Sequence, residues 1–452
     1  MLRILRSGRR AYEGFRKTTI QKRSFLSEAY GCEEEWNTRL QIPLLQKYNP
    51  ENLFMILEHK YAREELVSAV DIDIFANIVR SKEQVEELLN LLQSLRHSAQ
   101  TTDTLDSTHH AVVRYLLDHD CTTELMDVLH NRLKYGIFPD HVCYNLLMDT
   151  YIKKKDYTSA AKIAVLPMLQ EDSENPITNA LSVYACHKYL EDPDAWPEPP
   201  KPVDDSKEEI KIRVKYLRNP YFDDHFDITD PRKLVGKTLA FQGRVMDNTL
   251  GRTCQLRGLI LYEKYQVATE LIKQWLNEVK GSIVYKEVFK LIEKDNESIP
   301  EEQTANELKS LMEQVNKLKK KNLCKNSLVE ALENNIKFAV EEQQEIDINN
   351  QVQAYIDWEK RRQILLDKQL YEQKRQAKME DITKLKKYLA ERERFLTFFE
   401  NEEQIELEIE KRQQGDKMEM KRVLRKPNAL KKLKKLKEET EYVPPKIEHM
   451  NK

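Results

Sequence analysis

Glycine and proline are scarce in this chain of 452 residues, which holds 10 of the first and 16 of the second. With so few helix-breaking residues, and with Leu, Lys and Glu abundant, the chain reads as almost wholly helical. A mean hydropathy of -0.70 adds that its helices are heavily solvated. Cysteine is equally thin: Cys32, Cys121, Cys143, Cys186, Cys254 and Cys324 are scattered, with no Cys-x-x-Cys pair. That spacing gives neither a disulfide framework nor a zinc motif, and each thiol reads as a small apolar side chain in a helix. Net charge is nearly absent too, with 74 basic against 76 acidic residues. The whole molecule is therefore no cationic sleeve, and any phosphate contact must come from local basic patches. No apolar run approaches the length of a membrane span.

Catalytic signatures are also missing. Gly236-Lys237-Thr238 imitates the end of a phosphate-binding loop, but that loop needs glycine where Pro231 stands, and a strand before it. His109 and His110 are adjacent in sequence and so point to different faces of a helix, which does not suit joint chelation. No His-Glu-x-x-His, Gly-x-Ser-x-Gly or paired-carboxylate constellation occurs. The expectation is a protein without enzymatic activity, cofactor, metal or small-molecule substrate.

What is present starts with a leader. Residues 1–27 carry Arg3, Arg6, Arg9, Arg10, Arg16, Lys17, Lys22 and Arg23 against the single acid Glu13, with intermittent apolar residues and several Ser or Thr. Arg-rich, acid-poor and amphipathic is the pattern of a mitochondrial transit peptide, which predicts a matrix location. Residues 28–191 read as a helical region, with the apolar run 83–95 as part of a degenerate hairpin. Its clearest stretch runs from Lys134 to Glu171. Gly136 and Pro139-Asp140 punctuate a turn, apolar residues recur at helical spacing from Val142 to Ile152, Lys153, Lys154 and Lys155 form a corner, and a second apolar helix follows. Setting Asp106 under His141 aligns His110 with Asn145, Leu116 with Tyr151 and Val128 with Ile163, a shift of 35 residues. A fixed period of that size means one helical hairpin per repeat, here near 106–140 and 141–175.

The remainder divides by composition. Residues 192–231 read as a proline-rich linker and surface excursion, and 232–298 as further helical hairpins. Residues 299–414 read as long charged helices with a coiled-coil heptad, in which Leu308, Leu311, Val315 and Leu318 recur, then Val329, Leu332, Ile336 and Ala339, then Ile382, Leu385, Leu389 and Leu396. Residues 415–452 form a basic tail, expected to be disordered, in which Lys431, Lys432, Lys434 and Lys435 are candidate phosphate contacts. The predicted architecture is all-α: a helical-hairpin solenoid followed by a long charged, coiled-coil-like C-terminal region.

A 35-residue hairpin that closes on Gly136-Ile-Phe-Pro-Asp140 and continues Tyr144-Asn145-Leu146-Leu147-Met148-Asp149 resembles the pentatricopeptide repeat. In that family each first helix faces a groove where two or three side chains read one RNA base. The resemblance puts Asn145 and Asn175 in the reading positions of one repeat and His110 and Asp140 in those of the repeat before. It puts Val142 where an apolar side chain wedges between bases, and Lys153 where a cation meets phosphate. Two departures stand out: Glu171 and Glu174 replace the closing Gly and Pro of the second repeat, and Leu125 stands where a small Ala is expected. Two good repeats would read about two nucleotides.

With the leader and the charged C-terminus, the chain is similar to the pentatricopeptide-repeat family of the mitochondrial small ribosomal subunit, closely over 134–155 and more loosely over 29–293. That resemblance implies a non-catalytic structural component of the subunit. Its partners would be ribosomal RNA of the mitochondrial small subunit and neighbouring mitochondrial ribosomal proteins, and its role support of mitochondrial translation. Two other readings stay open: a free matrix RNA-binding factor acting on transcripts, and a helical scaffold that binds only protein.

Overall fold

The structure, a computed structural model, describes residues 25–193, 196, 223–296, 305–321, 323–397 and 402–424. Most of the leader, most of the proline-rich linker, and Lys431, Lys432, Lys434 and Lys435 lie outside the described residues. Among the described residues all regular structure is helical, and one isolated bridge joins Tyr285 to Cys324.

Helices α1 (Glu33–Thr38), α2 (Pro43–Gln46) and α3 (Pro50–Ala62) lead into six successive hairpins. These are α4 (Ala69–Ile78) with α5 (Val85–His97), α6 (Asp106–Asp118) with α7 (Thr122–His130), and, after the single turn α8 (Arg132–Tyr135), α9 (His141–Lys154) with α10 (Tyr157–Leu169). Then follow α11 (Pro176–Glu191) with α12 (Pro231–Val245), α13 (Thr249–Leu261) with α14 (Tyr265–Glu278), and α15 (Val288–Asn296) with α16 (Ala305–Leu318). First helices stack on first helices, α4 on α6, α6 on α9 and α9 on α11. Second helices do likewise, α10 against α12 and α14 against α16. The result is a two-layer solenoid.

Local chemistry sets the repeat. Helix starts carry side-chain caps: Asp140 accepts from the Cys143 N–H at 2.7 Å, Asp156 from Ser159 at 2.9 Å, Asn175 from Thr178 at 3.0 Å and Asn248 from Gly251 at 2.7 Å. Pro176 and Pro231 occupy the first turns of α11 and α12, where a missing N–H costs nothing. The corners inside hairpins use left-handed residues, Asp120 (φ 52°) and Lys155 (φ 61°), one repeat apart. The Lys-rich corner of the sequence is this turn.

Glycine has a packing role in one place. Gly236 and Gly243 on α12 face Gly258 and Gly251 on α13, and a Cβ on Gly258 would come within 2.4 Å of the Ala240 nitrogen. The triplet that imitated a phosphate-binding loop is thus the middle of a helix that another backbone approaches closely. Further along, Ile272 and Trp275 of α14, Val288 and Phe289 of α15, and Leu311, Val315 and Leu318 of α16 form one buried cluster. The apolar run 308–318, grouped by the sequence with the charged C-terminal helices, therefore belongs to the solenoid's last hairpin.

The chain divides into two units, Met1–Leu365 and Leu366–Lys452. After α16 ends at Leu318 comes α17 (Leu328–Leu396), whose first part belongs to the first unit. In the second unit the rest of α17 and a further helix, α18 (Glu402–Leu424), are described. There the heptad residues Ile382, Leu385 and Leu389 are each about half exposed.

Candidate functional site

Asp140 and Asn175 each immediately precede a first helix and cap it, so each carboxyl or amide is fixed at the mouth between two repeats. His110 and Asn145 sit one turn inside α6 and α9. The two pairs singled out by the resemblance accordingly meet: His110 Nδ1 lies 3.1 Å from Asp140 Oδ2, and Asn145 Nδ2 donates to Asn175 Oδ1 at 3.4 Å. Val142 is buried beside them. Burial alone would raise the Asp140 carboxyl, but the adjacent His110 and the Cys143 N–H outweigh it and hold that carboxyl well below the usual range.

Neither pair faces an open groove. The first part of α17 runs back along the first helices, from the last hairpin to the first. At its start the Leu328 N–H donates to Glu287 Oε2 beside α15, at 2.9 Å. Asp347 then meets the Asn pair: its Oδ2 accepts from Asn175 Nδ2 at 2.8 Å and from the Tyr30 hydroxyl at 2.9 Å. The Tyr30 hydroxyl in turn accepts from Asn145 Nδ2 at 2.7 Å, and Thr178 donates to Asn145 Oδ1 at 2.8 Å. Burial, then the charge of Asp347, pushes the Tyr30 phenol far up, so it stays a neutral donor.

Two turns further on, the Tyr355 hydroxyl lies 3.0 Å from His110 Nε2, and Trp36, Tyr355 and Trp358 stand around the imidazole with ring centroids 5.0–5.4 Å away. Two more turns bring Arg362 to Asp73 on α4, with Nε to Oδ2 at 2.6 Å. Asp73 also accepts from Thr108 at 2.8 Å, and from Ser107. The space in which a base edge would meet these side chains is taken by the chain's own Tyr30, Asp347, Tyr355 and Trp358.

Of the cationic candidates, Lys153 pairs with Asp149 at 2.8 Å and Lys154 with Asp120 at 2.5 Å, while both keep roughly 40 % of the side chain exposed. Lys155 is exposed at the corner. These three lie at the C-terminal end of α9, away from the His110 and Asn145 pairs at the N-terminal ends of the first helices. A site of phosphate contact on that edge would hold nucleic acid by charge alone.

Sequence reasoning overlooked Tyr30, Asp73, Asp347, Tyr355 and Arg362. One signal was available: Gln343, Asp347, Gln351, Tyr355, Trp358 and Arg362 recur every three or four residues, as one face of a helix, but the face is polar and aromatic and leaves no hydrophobic period.

Across nearly the whole described chain, one comparison bears on this arrangement. A family model described as mitochondrial 28S ribosomal protein S27 matches residues 1–388.

Proposed function

We infer the function of this chain from one fact about it: it belongs to the mitochondrial 28S ribosomal protein S27 family. Membership places it in mitochondria, among the components of the small ribosomal subunit, in a structural role.

The finer reading is ours. In it the protein sits in the matrix and supports mitochondrial translation by holding ribosomal RNA and neighbouring ribosomal proteins in place. RNA is gripped through phosphates, by the Lys153–Lys155 corner and the basic run containing Lys431, Lys432, Lys434 and Lys435. His110, Asp140, Val142, Asn145 and Asn175 serve to seat α17 rather than to read bases. The observation that supports this division is the filled groove: each reading pair already has its hydrogen-bond partners within the chain. The exposed apolar stripe at Ile382, Leu385 and Leu389 supports a protein contact in the second unit.

Sedimentation of a mitochondrial matrix extract on sucrose gradients, with and without magnesium, tests the assignment. Co-migration with the small subunit, shifting when the subunit falls apart, is expected. A protein that stays at the top in both conditions would overturn the ribosomal role and favour a free RNA-binding factor. Phosphate gripping is tested separately on RNA bound to purified protein, where log K should fall linearly with log salt, by about 0.7 per phosphate contact on single strands. A flat salt profile would favour a scaffold that binds only protein.

A further inference from the structure

We propose that His110, Asp140 and Cys143 form a binding site for one zinc-class divalent cation, clamping the α6 hairpin to the α9 hairpin. The three donors come from α6, the Pro-Asp turn and the first turn of α9, and their ligand atoms all lie within 4.8 Å of one another. His110 Nδ1 is 3.1 Å from Asp140 Oδ2 and 3.2 Å from Cys143 Sγ. Tetrahedral zinc with bonds of about 2.0–2.3 Å sets its ligand atoms about 3.3–3.6 Å apart, so the ring nitrogen needs to draw back from each of the other two ligand atoms by only a few tenths of an ångström.

Hydrogen bonds already tie the three residues together, since the Cys143 N–H and thiol both bond to Asp140. One ring nitrogen, Nδ1, faces both Asp140 and Cys143, and it carries at most one hydrogen. The other nitrogen is already turned to the Tyr355 hydroxyl at 3.0 Å. That outer contact orients the ring, as a partner behind a ligating histidine does. A cation satisfies the three donors at once. Charge also balances: a thiolate, a carboxylate and a neutral imidazole cancel a dication, so the buried cluster is neutral. Loading releases the Cys143 thiol proton and leaves the imidazole neutral, with its one hydrogen on Nε2 facing the Tyr355 hydroxyl. Without a cation, burial and then Asp140 hold the thiol well above its ordinary value, in the protonated form. Access is available at Asp140, whose side chain is 29 % exposed. Three protein ligands leave a fourth position for water, and the nitrogen–sulfur–oxygen set selects against calcium and magnesium.

Cysteine spacing gave no hint of this, because the ligands are 30 and 33 residues from His110 and share no local motif. The period of the repeat brings them together.

The test uses the purified full chain, stripped with chelator and titrated with cobalt(II). One equivalent should produce a cobalt–thiolate charge-transfer band, which zinc removes and excess magnesium or calcium does not. Cys143→Ala and His110→Ala should each abolish the band, with helical circular dichroism as the check on folding. Cys324→Ser, at a partly exposed thiol elsewhere, should leave it intact. Absence of the band in the wild-type chain, or its persistence in Cys143→Ala, overturns the proposal. Should His110→Ala or Cys143→Ala fail to fold, carbamidomethylation of the intact chain decides instead. Zinc should slow modification of Cys143 at least tenfold, and an unchanged rate overturns the site.

Discussion

Arg362→Met should release the end of the docked part of α17 without unfolding the solenoid. In the wild-type chain the Arg362 guanidinium meets Asp73 at 2.6 Å, with side-chain exposures of 4 % and 0 %. Removing one member of a buried pair typically costs about 3–5 kcal/mol, because the other charge is left without its partner. Here Thr108 still donates to Asp73 at 2.8 Å and Asn77 at 3.2 Å, with Ser107 as a third donor. We therefore place the cost at the low end, about 3 kcal/mol, or roughly a hundredfold in the opening equilibrium. Hydrogen exchange read by mass spectrometry is the assay. Peptides from 355–365 should exchange about a hundredfold faster, while α9 and α10 keep their protection. In a double-mutant cycle with Asp73→Asn, the two changes should couple by about 2 kcal/mol, since removing both charges leaves neither stranded. A loss below about 0.5 kcal/mol, or equal acceleration throughout the solenoid, would refute the idea that this pair fastens α17 locally.

Other perturbations test other parts of the same account. Gly258→Ala should cost about 1–3 kcal/mol or more in thermal or denaturant unfolding, because the new methyl meets backbone at 2.4 and 2.5 Å; a neutral result would mean α12 and α13 slide apart freely. Gly415→Ala, inside α18 with nothing within 4 Å, should instead raise helicity and favour the helix by about 0.5–1 kcal/mol. His187 is buried beside Arg257 at 3.0 Å, and burial lowers its pKa below the ordinary 6.5. The folded protein then binds fewer protons than the unfolded chain, so stability is fully present above about pH 6.5 and falls as pH drops below it. His187→Gln should flatten that slope between pH 6.5 and 5, and an unchanged slope would remove His187 from the explanation. Glu191, held at about 2 by the His187 hydrogen bond and by Lys188, adds a second loss of stability from about pH 4.5 downward.

The solenoid was legible because its signals are local and repeated. Asp140, Asn175 and Pro176 mark helix starts, and the 35-residue offset between His110 and Asn145 shows that one hairpin follows another. Even the pairing of His110 with Asp140 and Asn145 with Asn175 follows from that offset once the repeat is recognised. The role of α17 was not legible in the same way. Its sequence shows an apolar period up to Ala339, then Gln343, Asp347, Gln351, Tyr355 and Arg362, which in isolation describe a solvated face. What makes that face buried is a matching set of polar groups on four other helices, one of them 289 residues away. Nor does any local spacing show that Leu308–Leu318 packs on α14 rather than on a coiled-coil partner, because both use the same three-and-four period. Near 140, capping, base reading and cation binding all draw on the same carboxylate, and only its surroundings separate them.

The polar seam also explains how one helix finds one register. From Asp347 to Tyr355 is eight residues and from Tyr355 to Arg362 seven, which is about 12 Å and 10.5 Å of rise. Stacked helices stand about 8–10 Å apart, so α17, crossing them, meets a new first helix about every two turns. At each meeting the solenoid offers a different group: an amide pair at Asn145 and Asn175, an imidazole at His110, a carboxylate at Asp73. The helix answers with a carboxylate, a phenol and a guanidinium in that order. Slipping by two turns toward α4 would set Tyr355 against Asp73 and Asp347 against His110, where the Asp140 carboxylate already stands, while Arg362 would leave Asp73. An apolar seam would tolerate such a slip with little loss, whereas here each step strands a charge. The groove of the repeat is therefore used to hold a specific helix in a specific place.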